Sequence, residues 1–216
     1  MIKPPALRAT YRLQFHRAFT FADAEALVPY FARLGISHLY ASPITVAVPG
    51  STHGYDVADP TRINPELGGA EGFERLALAL AAHGMGVLLD IVPNHMAASS
   101  HNPFWMEMLE RGPQAPAARL FDVDWQSGRL LLPVLGEPLT ATLAAGALSL
   151  RAEYETGRLV AAYADHVFPL RPESVADLLD AAAGLRPGWA EMASAFRASS
   201  AASSTSLHTA PSSLRP

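Results

Sequence analysis

The residues best suited to chemistry lie where an apolar run turns polar. The run at 87–92 is apolar apart from Asp90, and after one proline it continues into Asn94 and His95. A carboxylate, an amide and an imidazole this close in the chain can donate and accept several hydrogen bonds to a polar ligand. The same pattern also fits a strand that merely ends in polar residues. The pattern alone leaves both interpretations open.

Alternating strands and helices must position these residues. Strand composition is found at 9–15, 36–40 and 87–92. Two amphipathic helices lie between these segments, the first from Thr20 to about Leu34 and the second ending near Gly84. The segment at 42–69 is polar and rich in proline and glycine, which predicts a loop. The first helix is expected to bury one apolar stripe, which comprises Phe21, Ala24, Leu27, Val28, Phe31 and Leu34.

This order of elements predicts an α/β fold. Two strand–helix units and a third, continuously apolar strand indicate a parallel sheet covered by helices. Gln14, Ser42 and Asn94 follow the carboxyl ends of the predicted strands, which favours a partial (β/α)8 TIM barrel with about its first three βα units. Open α/β sheets also bind ligands at the carboxyl ends of their strands, so this placement alone does not exclude an open sheet.

Beyond His101 the pattern changes to short elements. Residues 104–111 predict a helix, 120–135 two strands joined across 126–128, and 147–154 with 158–163 a β-hairpin. These hairpins would form a small subdomain inserted after the third strand, and 174–183 a returning helix. The predicted domains are 1–111, the first part of the barrel; 112–170, the inserted subdomain; 171–197, the return helices; and 198–216, a disordered Ser/Ala-rich tail.

Composition narrows the class of ligand and the compartment. The formal net charge is −4 with 17% charged residues, and no basic run favours a nucleic acid or a membrane surface as partner. A neutral or small ligand is the better expectation. The absence of cysteine excludes disulfides and thiolate metal sites, and no signal-peptide core follows Met1. These features predict a cytoplasmic protein without a transmembrane segment.

Several motifs resemble one branch of the α-amylase family. The segment Asp90 to His95 resembles the first conserved region of that family, written D-x-x-x-N-H. Thr-Tyr-Arg-Leu-Gln at 10–14, Gly-Ile-Ser-His-Leu-Tyr at 35–40 and Pro-Gly-Ser-Thr-His-Gly-Tyr-Asp-Val at 49–57 are similar to malto-oligosyltrehalose synthases in particular. Weaker similarity continues through 121–125 and 130–136, so the resemblance covers roughly residues 8–180.

The resemblance implies an isomerase of trehalose biosynthesis. In such an enzyme an intramolecular transglycosylation converts the reducing-end α-1,4 bond of a maltodextrin to α,α-1,1. A nucleophilic carboxylate and an acid/base carboxylate retain the configuration, and the chemistry needs no cofactor and no metal. The implied partner is a maltodextrin or malto-oligosaccharide. An α-glucan hydrolase of the same family and a non-catalytic maltodextrin-binding remnant are the alternatives.

The same resemblance assigns residues to the sugar site. His95 would bond the 6-hydroxyl of the glucose at the cleavage subsite, Tyr55 would stack on that sugar, and His53 would bond a nearby hydroxyl. Tyr55 alternatively serves only as half-buried packing. Asp90 would hold the neighbouring framework through an arginine that these 216 residues do not contain, and His38 is expected to be buried and structural. The predicted substrate-binding residues are His53, Tyr55, Asp90, Asn94, His95, Tyr11 and Gln14.

The chain departs from the family at the catalytic carboxylates. The family nucleophile lies in a G-x-R-x-D motif, and the nearest match here, at 184–188, has Gly188 in place of the aspartate. We therefore assign no catalytic residue and expect the 216 residues to be an inactive amino-terminal fragment. With three of eight barrel strands, the fragment is also expected to be marginally stable.

Overall fold

The computed structural model describes residues 5–128, 130–153 and 158–182. The chain divides into two compact units between Trp105 and Met106. The first unit contains β1 (Thr10–Leu13), α1 (Phe21–Arg33), β2 (His38–Ala41), β3 (Thr45–Ala47), β4 (Val57–Ile63), α2 (Gly69–Ala82) and β5 (Gly86–Leu89). Helix α3 (Pro103–Arg111) crosses the division. The second unit contains α4 (Leu139–Ala144), β6 (Leu148–Glu153), β7 (Arg158–Tyr163), β8 (His166–Pro169) and α5 (Pro172–Ala182).

Strands β1, β2 and β5 form a parallel sheet with β2 in the centre. Arg12 lies opposite Tyr40, and Tyr40 lies opposite Leu88. The ladder continues past β5, because the Asp90 N–H donates to the carbonyl of Ala41 at 2.9 Å. The predicted α/β class and the parallel order of the three strands are therefore confirmed.

Helices α1 and α2 share one apolar core with the sheet. Phe21 is fully buried and contacts the edges of Phe15 and Phe73, with ring centroids 5.0 and 5.5 Å away. The buried members of this core are Leu13, Phe15, Phe21, Ala24, Val28, Phe31, Leu39, Ala41, Ile44, Leu67, Leu76, Leu80 and Met85. The core thus lies on the face of the sheet that carries Leu13 and Leu39.

The limits of α1 agree with the sequence. The Asp23 carboxylate accepts a hydrogen bond from the Thr20 N–H at 2.7 Å, and Gly35 follows the helix at φ +83°. The expected stripe was wrong at two positions, because Leu27 and Leu34 are 36% and 54% exposed. At about 100° per residue they lie roughly 80–100° from the centre of the buried stripe, at its border.

His38 is buried in β2, as expected, beside Gly86 of β5. Its Nδ1 lies 3.1 Å from the Ser37 hydroxyl. A Cβ on Gly86 would lie 2.6 Å from the His38 ring, so glycine is required there for the imidazole to fit. A structural role of His38 is confirmed by this packing.

The segment between β2 and α2 is more ordered than a loop. Strands β3 and β4 pair antiparallel with two shifts of register, and a 3-10 helix follows at Pro65–Leu67. The three-residue β3 is too short for a periodic signal, and Pro60 inside β4 disguises that strand. The third parallel strand is also shorter than predicted, because β5 ends at Leu89 and leaves Asp90 outside it.

Two differences concern the second unit. The two strands predicted at 120–135 are wrong, since the described residues of that range form no strand. A 3-10 helix occupies Pro116–Leu120, and a turn closes where the Asp124 carboxylate accepts from the Gln126 N–H at 2.8 Å. The hairpin of β6 and β7 was predicted, whereas β8 and α4 were not.

Other predicted features of the second unit lie at the limits of the described chain. Helix α5 corresponds to the predicted helix at 174–183 and begins at Pro172. The hairpin turn at 155–157, the motif at 184–188 and the tail at 198–216 lie outside the described residues.

Candidate functional site

Alternation along the strands gives the sheet a second, polar face. Side chains of a strand point to opposite faces in turn, so Arg12 and Gln14 face away from the core that contains Leu13. Tyr40 shares this polar face, because it lies opposite Arg12. Asp90 follows Leu88 by two residues, so its side chain lies on the same face as those of Arg12 and Tyr40. The residues that can do chemistry therefore gather at the carboxyl end of the sheet.

Asp90 is the centre of a hydrogen-bonded cluster on this face. Its Oδ2 accepts hydrogen bonds from the hydroxyls of Tyr40, at 3.0 Å, and Tyr55, at 2.5 Å. The Tyr55 hydroxyl in turn accepts a hydrogen bond from Nη2 of Arg12 at 3.1 Å. The guanidinium carbon of Arg12 lies 5.8 Å from the centre of the Tyr40 ring. We call Arg12, Tyr40, Tyr55 and Asp90 the Asp90 cluster.

Charge and hydrogen bonding perturb two groups of the Asp90 cluster. The hydrogen bond to Asp90 raises the pKa of Tyr40, and burial and the negative charge of Asp90 act in the same direction. The hydrogen bond to Tyr55 raises the pKa of Arg12, and Asp90 contributes to that increase. Both shifts favour a protonated hydroxyl and a charged guanidinium. The cluster therefore holds its donors in place around one carboxylate.

A tight loop between β3 and β4 delivers Tyr55 to the Asp90 cluster. Gly54 has φ +78°, and a Cβ at this position would lie 2.6 Å from the carbonyl oxygen of Pro43. The Ser51 hydroxyl donates to the Asp56 carboxylate at 2.5 Å and accepts from the Gly54 N–H at 3.1 Å. Glycine and this serine–aspartate pair thus close the turn that presents the ring of Tyr55.

His53 stands beside Tyr55, with ring centroids 6.0 Å apart and planes 27° from parallel. Its Nδ1 accepts a hydrogen bond from the Tyr55 N–H at 3.0 Å, so Nδ1 carries no proton there. Nδ1 also lies 3.7 Å from the Asp56 carboxylate. The hydrogen bond describes this nitrogen better than an ion pair does, because a proton on Nδ1 would displace the Tyr55 N–H. In the neutral imidazole the proton then lies on Nε2, which can donate a hydrogen bond to a ligand.

Asn94 and His95 lie beyond β5 with exposed side chains. The turn that carries them is closed by the His95 N–H, which donates to the Val92 carbonyl at 3.3 Å. Within the described ranges, neither side chain is hydrogen-bonded to the Asp90 cluster. The segment is tied to β4 by one backbone bond, from the Ala97 N–H to the Val57 carbonyl at 2.7 Å.

Gln14 and Tyr11, the predicted site residues in and just after β1, lie on opposite faces of the sheet. Gln14 borders the site, since its Nε2 donates to the Thr52 carbonyl at 2.8 Å and its Oε1 lies 3.4 Å from Nη1 of Arg12. Tyr11 points to the helical face, where its ring centroid lies 4.7 Å from that of Phe31. The structure does not bring Tyr11 to the Asp90 cluster, and we leave it out of the site. The physical reason is its position one residue out of phase with Arg12.

Sequence reasoning missed Arg12 and Tyr40. Neither was named as a site residue, although Arg12 lies inside the Thr-Tyr-Arg-Leu-Gln motif. The alternation that buries Leu13 and Leu39 could have placed both residues on the face opposite the core. Periodicity was therefore a usable signal for these two positions.

Two further findings bear on ligand class and membrane association. Among the described residues, no three His, Asp or Glu side chains lie close enough together to hold a metal ion. None of the helices in the described ranges combines the length and apolar character that crossing a membrane requires.

Comparison with known proteins identifies relatives of this chain. Residues 25–120 match the alpha amylase catalytic domain. A Mycobacterium tuberculosis protein described as a maltooligosyl trehalose synthase is 49% identical over 137 residues, which cover 59% of this chain and 18% of that protein. The chain thus spans about a fifth of the length of the relatives it matches.

Solved structures agree with this relationship. A maltooligosyl trehalose synthase superposes with a TM-score of 0.72 at 40% identity, covering 76% of this chain and 22% of that one. The maltooligosyltrehalose synthase of Arthrobacter ramosus superposes with a TM-score of 0.66 at 41% identity, covering 76% of this chain and 21% of that one. The resemblance predicted from the motifs is confirmed.

Proposed function

We propose that this chain, a relative of the maltooligosyl trehalose synthases in the α-amylase family, carries part of the sugar-binding site of such an enzyme. The observation that supports the proposal is the Asp90 cluster, which holds an aromatic ring and a carboxylate together at the carboxyl end of parallel strands. Strand ends of this kind are where (β/α)-barrel enzymes build their active sites. In the whole protein the sheet would continue into a (β/α)8 barrel.

Each residue of the proposed site has a part in binding one glucose unit. The ring of Tyr55 offers a face to the C–H side of the sugar, and its hydroxyl is already engaged by Asp90. His53 donates from Nε2 to a hydroxyl of that glucose. His95 and Asn94 are exposed beside the site, and His95 binds the 6-hydroxyl. The resulting array combines stacking with directed hydrogen bonds, as neutral sugars require.

The proposed reaction of the whole enzyme is an isomerisation. The α-1,4 bond at the reducing end of a maltodextrin is converted to α,α-1,1 by intramolecular transglycosylation, with retention through a covalent glycosyl-enzyme. The nucleophile and the acid/base are not assigned to any of the 216 residues. We therefore propose that these residues bind sugar but do not catalyse alone. The cytoplasm is the proposed location, since the chain has no cysteine for disulfides.

A chimera tests this proposal. The part of the Arthrobacter ramosus synthase that superposes on this chain is replaced by residues 5–182, and maltopentaose is the substrate. The chimera is expected to lower the number of reducing ends without releasing glucose. Purified residues 1–216 are expected to do neither, because removal of the catalytic carboxylates abolishes the covalent route.

Controls separate the alternatives. A folded chimera that leaves maltopentaose unchanged would contradict the proposal. A rise in reducing ends would instead favour an α-glucan hydrolase. Any change of substrate by residues 1–216 above a heat-killed sample would show that the assumption about the carboxylates is wrong. Tyr55→Ala and His95→Ala in the chimera should each lower kcat/KM, whereas the exposed Arg17→Ala should not.

A further inference from the structure

We infer that Arg12 is a positioning residue of the proposed sugar site, because it holds the ring and hydroxyl of Tyr55 in place against Asp90. The inference rests on the proposed function, because it concerns how that site meets its sugar. It assigns a role to a residue that the family motifs do not mark as sugar-binding. Four contacts of the Asp90 cluster carry the argument.

Arg12 reaches both tyrosines that hold Asp90. No direct ion pair joins Arg12 and Asp90 among the described residues, because the Tyr55 hydroxyl lies between them. Nη2 donates to that hydroxyl at 3.1 Å, and the guanidinium carbon stands 5.8 Å from the Tyr40 ring centre. Nη1 lies 3.4 Å from Oε1 of Gln14. One cationic group thus orders the site without neutralising the carboxylate directly.

The chemistry of the guanidinium fixes the direction of every hydrogen bond. Arginine has five N–H donors and no acceptor, so the Tyr55 hydroxyl must accept from it. The single proton of that hydroxyl is then directed to Oδ2 of Asp90. Tyr40 directs its proton to the same oxygen. Neither tyrosine hydroxyl retains a proton that it can donate to a sugar.

The two tyrosine rings of the Asp90 cluster are not equally available to a sugar. The guanidinium carbon of Arg12 lies 5.8 Å from the centre of the Tyr40 ring and covers one face of that ring. The ring of Tyr55 is therefore the one that stacks on the sugar.

Affinity for maltopentaose measures the consequence. Calorimetry on the 216-residue chain compares Arg12→Met, Arg12→Lys and the matched control Arg17→Met. Arg12→Met is expected to weaken binding by about tenfold or more, because a charge-assisted hydrogen bond that orients the site is lost. Arg12→Lys should recover part of that loss, since a lysine also donates without accepting. Arg17→Met should bind as the unsubstituted chain does.

The titration of Tyr40 distinguishes positioning from mere structural support. The guanidinium of Arg12 acts to lower the pKa of Tyr40, against the larger upward effect of Asp90. Arg12→Met should therefore move the pKa of Tyr40 further up, whereas loss of folding would move it down to the ordinary value for tyrosine. Ring-labelled tyrosine NMR reads this titration, and Tyr40→Phe identifies the signal.

The outcomes separate the two proposals. No binding by the unsubstituted chain would overturn the proposed function. Binding by the unsubstituted chain together with equal binding by Arg12→Met would overturn the role of Arg12 alone, and so would a Tyr40 pKa that stays or falls in that variant. If the isolated chain aggregates, kcat/KM of the chimera on maltopentaose replaces calorimetry, with the same variants and the same ranking.

Discussion

The two faces of the parallel sheet come from the same three strands but differ in how they are stabilised. The helical face buries Leu13 and Leu39 at 9% and 1% exposure against α1 and α2. The opposite face presents Arg12, Tyr40 and Asp90, which are exposed or half-buried and joined by directed hydrogen bonds. Apolar burial is non-directional and large in sum, whereas the polar contacts are directional and individually small.

Under the proposed function, this difference means that substitutions can change the stability of the fold and the recognition of sugar separately. Substitutions on the helical face should change the free energy of unfolding with little direct effect on sugar contacts. Substitutions on the polar face should change binding or turnover and leave stability nearly intact. The predictions below test that separation in the chimera, whose other strands cover the sheet edges, from the largest expected effect to the smallest.

The largest effect on stability is expected from Phe21→Ala. Phe21 is 0% exposed and packs between Phe15 and Phe73, so its removal leaves a cavity. We expect a loss of about 3–5 kcal/mol in the free energy of unfolding, measured by urea denaturation. Leu34→Ala, at the residue that follows α1, is the control, and its 54% exposure predicts a loss below about 0.5 kcal/mol. Equal losses for both variants would remove the basis of the comparison.

Asp90→Ala should have its main effect on turnover. The hydroxyls of Tyr40 and Tyr55 lose their shared acceptor, and the orientation of the Tyr55 ring is no longer fixed. We expect kcat/KM on maltopentaose to fall about 10- to 100-fold, as for the loss of hydrogen bonds to a charged group. The thermal midpoint should change little, because water can reach the freed hydroxyls. Asp122→Ala, an exposed aspartate of the second unit, is the control, and a matching decrease there would contradict the assignment.

The smallest effect concerns acid stability at Asp59 in β4. Burial acts to raise the pKa of Asp59, but hydrogen bonds from Thr61 and Arg62 outweigh it and lower the pKa below its ordinary value of 3.8. The unfolded state therefore binds the proton more readily. The resulting stability is present above about pH 4 and is lost as the pH falls through the lowered pKa.

Asp59→Asn should remove this part of the pH dependence. We expect the difference in thermal midpoint between the unsubstituted protein and the variant to shrink as the pH is lowered from about 6 to about 3. A difference that stays constant over this range would show that the carboxylate contributes no proton-linked stability.

Sequence patterns predicted the helices and strands in which apolar residues recur at a regular spacing. They failed for elements whose formation depends on a partner distant in the sequence. The stripe with Phe21 and Val28 located α1, because four buried residues at helical spacing give a strong signal. The two strands predicted at 120–135 do not occur in the described residues of that range, because apolar composition alone does not provide a strand with a neighbour to pair with. Strands β3 and β4 were missed because their pairing is short and irregular.

The candidate site shows the same limit at the level of single residues. Family motifs located Tyr55 and Asp90, which the structure joins at 2.5 Å. They included Tyr11, although strand alternation turns its ring toward Phe31. They did not single out Arg12, because its role depends on the tertiary contact with Tyr55, 43 residues away. A motif records which residue types occur, whereas the face and the partner are set by the fold.

The backbone bond from the Ala97 N–H to the Val57 carbonyl has a consequence for motion at the site. It joins the segment after His95 to the strand that begins two residues after Tyr55. A fluctuation that opens either segment must break this bond or carry the other segment with it. Hydrogen exchange at the Ala97 amide therefore reports the opening of both loops together. A bound sugar that engages only one of them would slow exchange at this amide and restrain the other loop, which it does not touch.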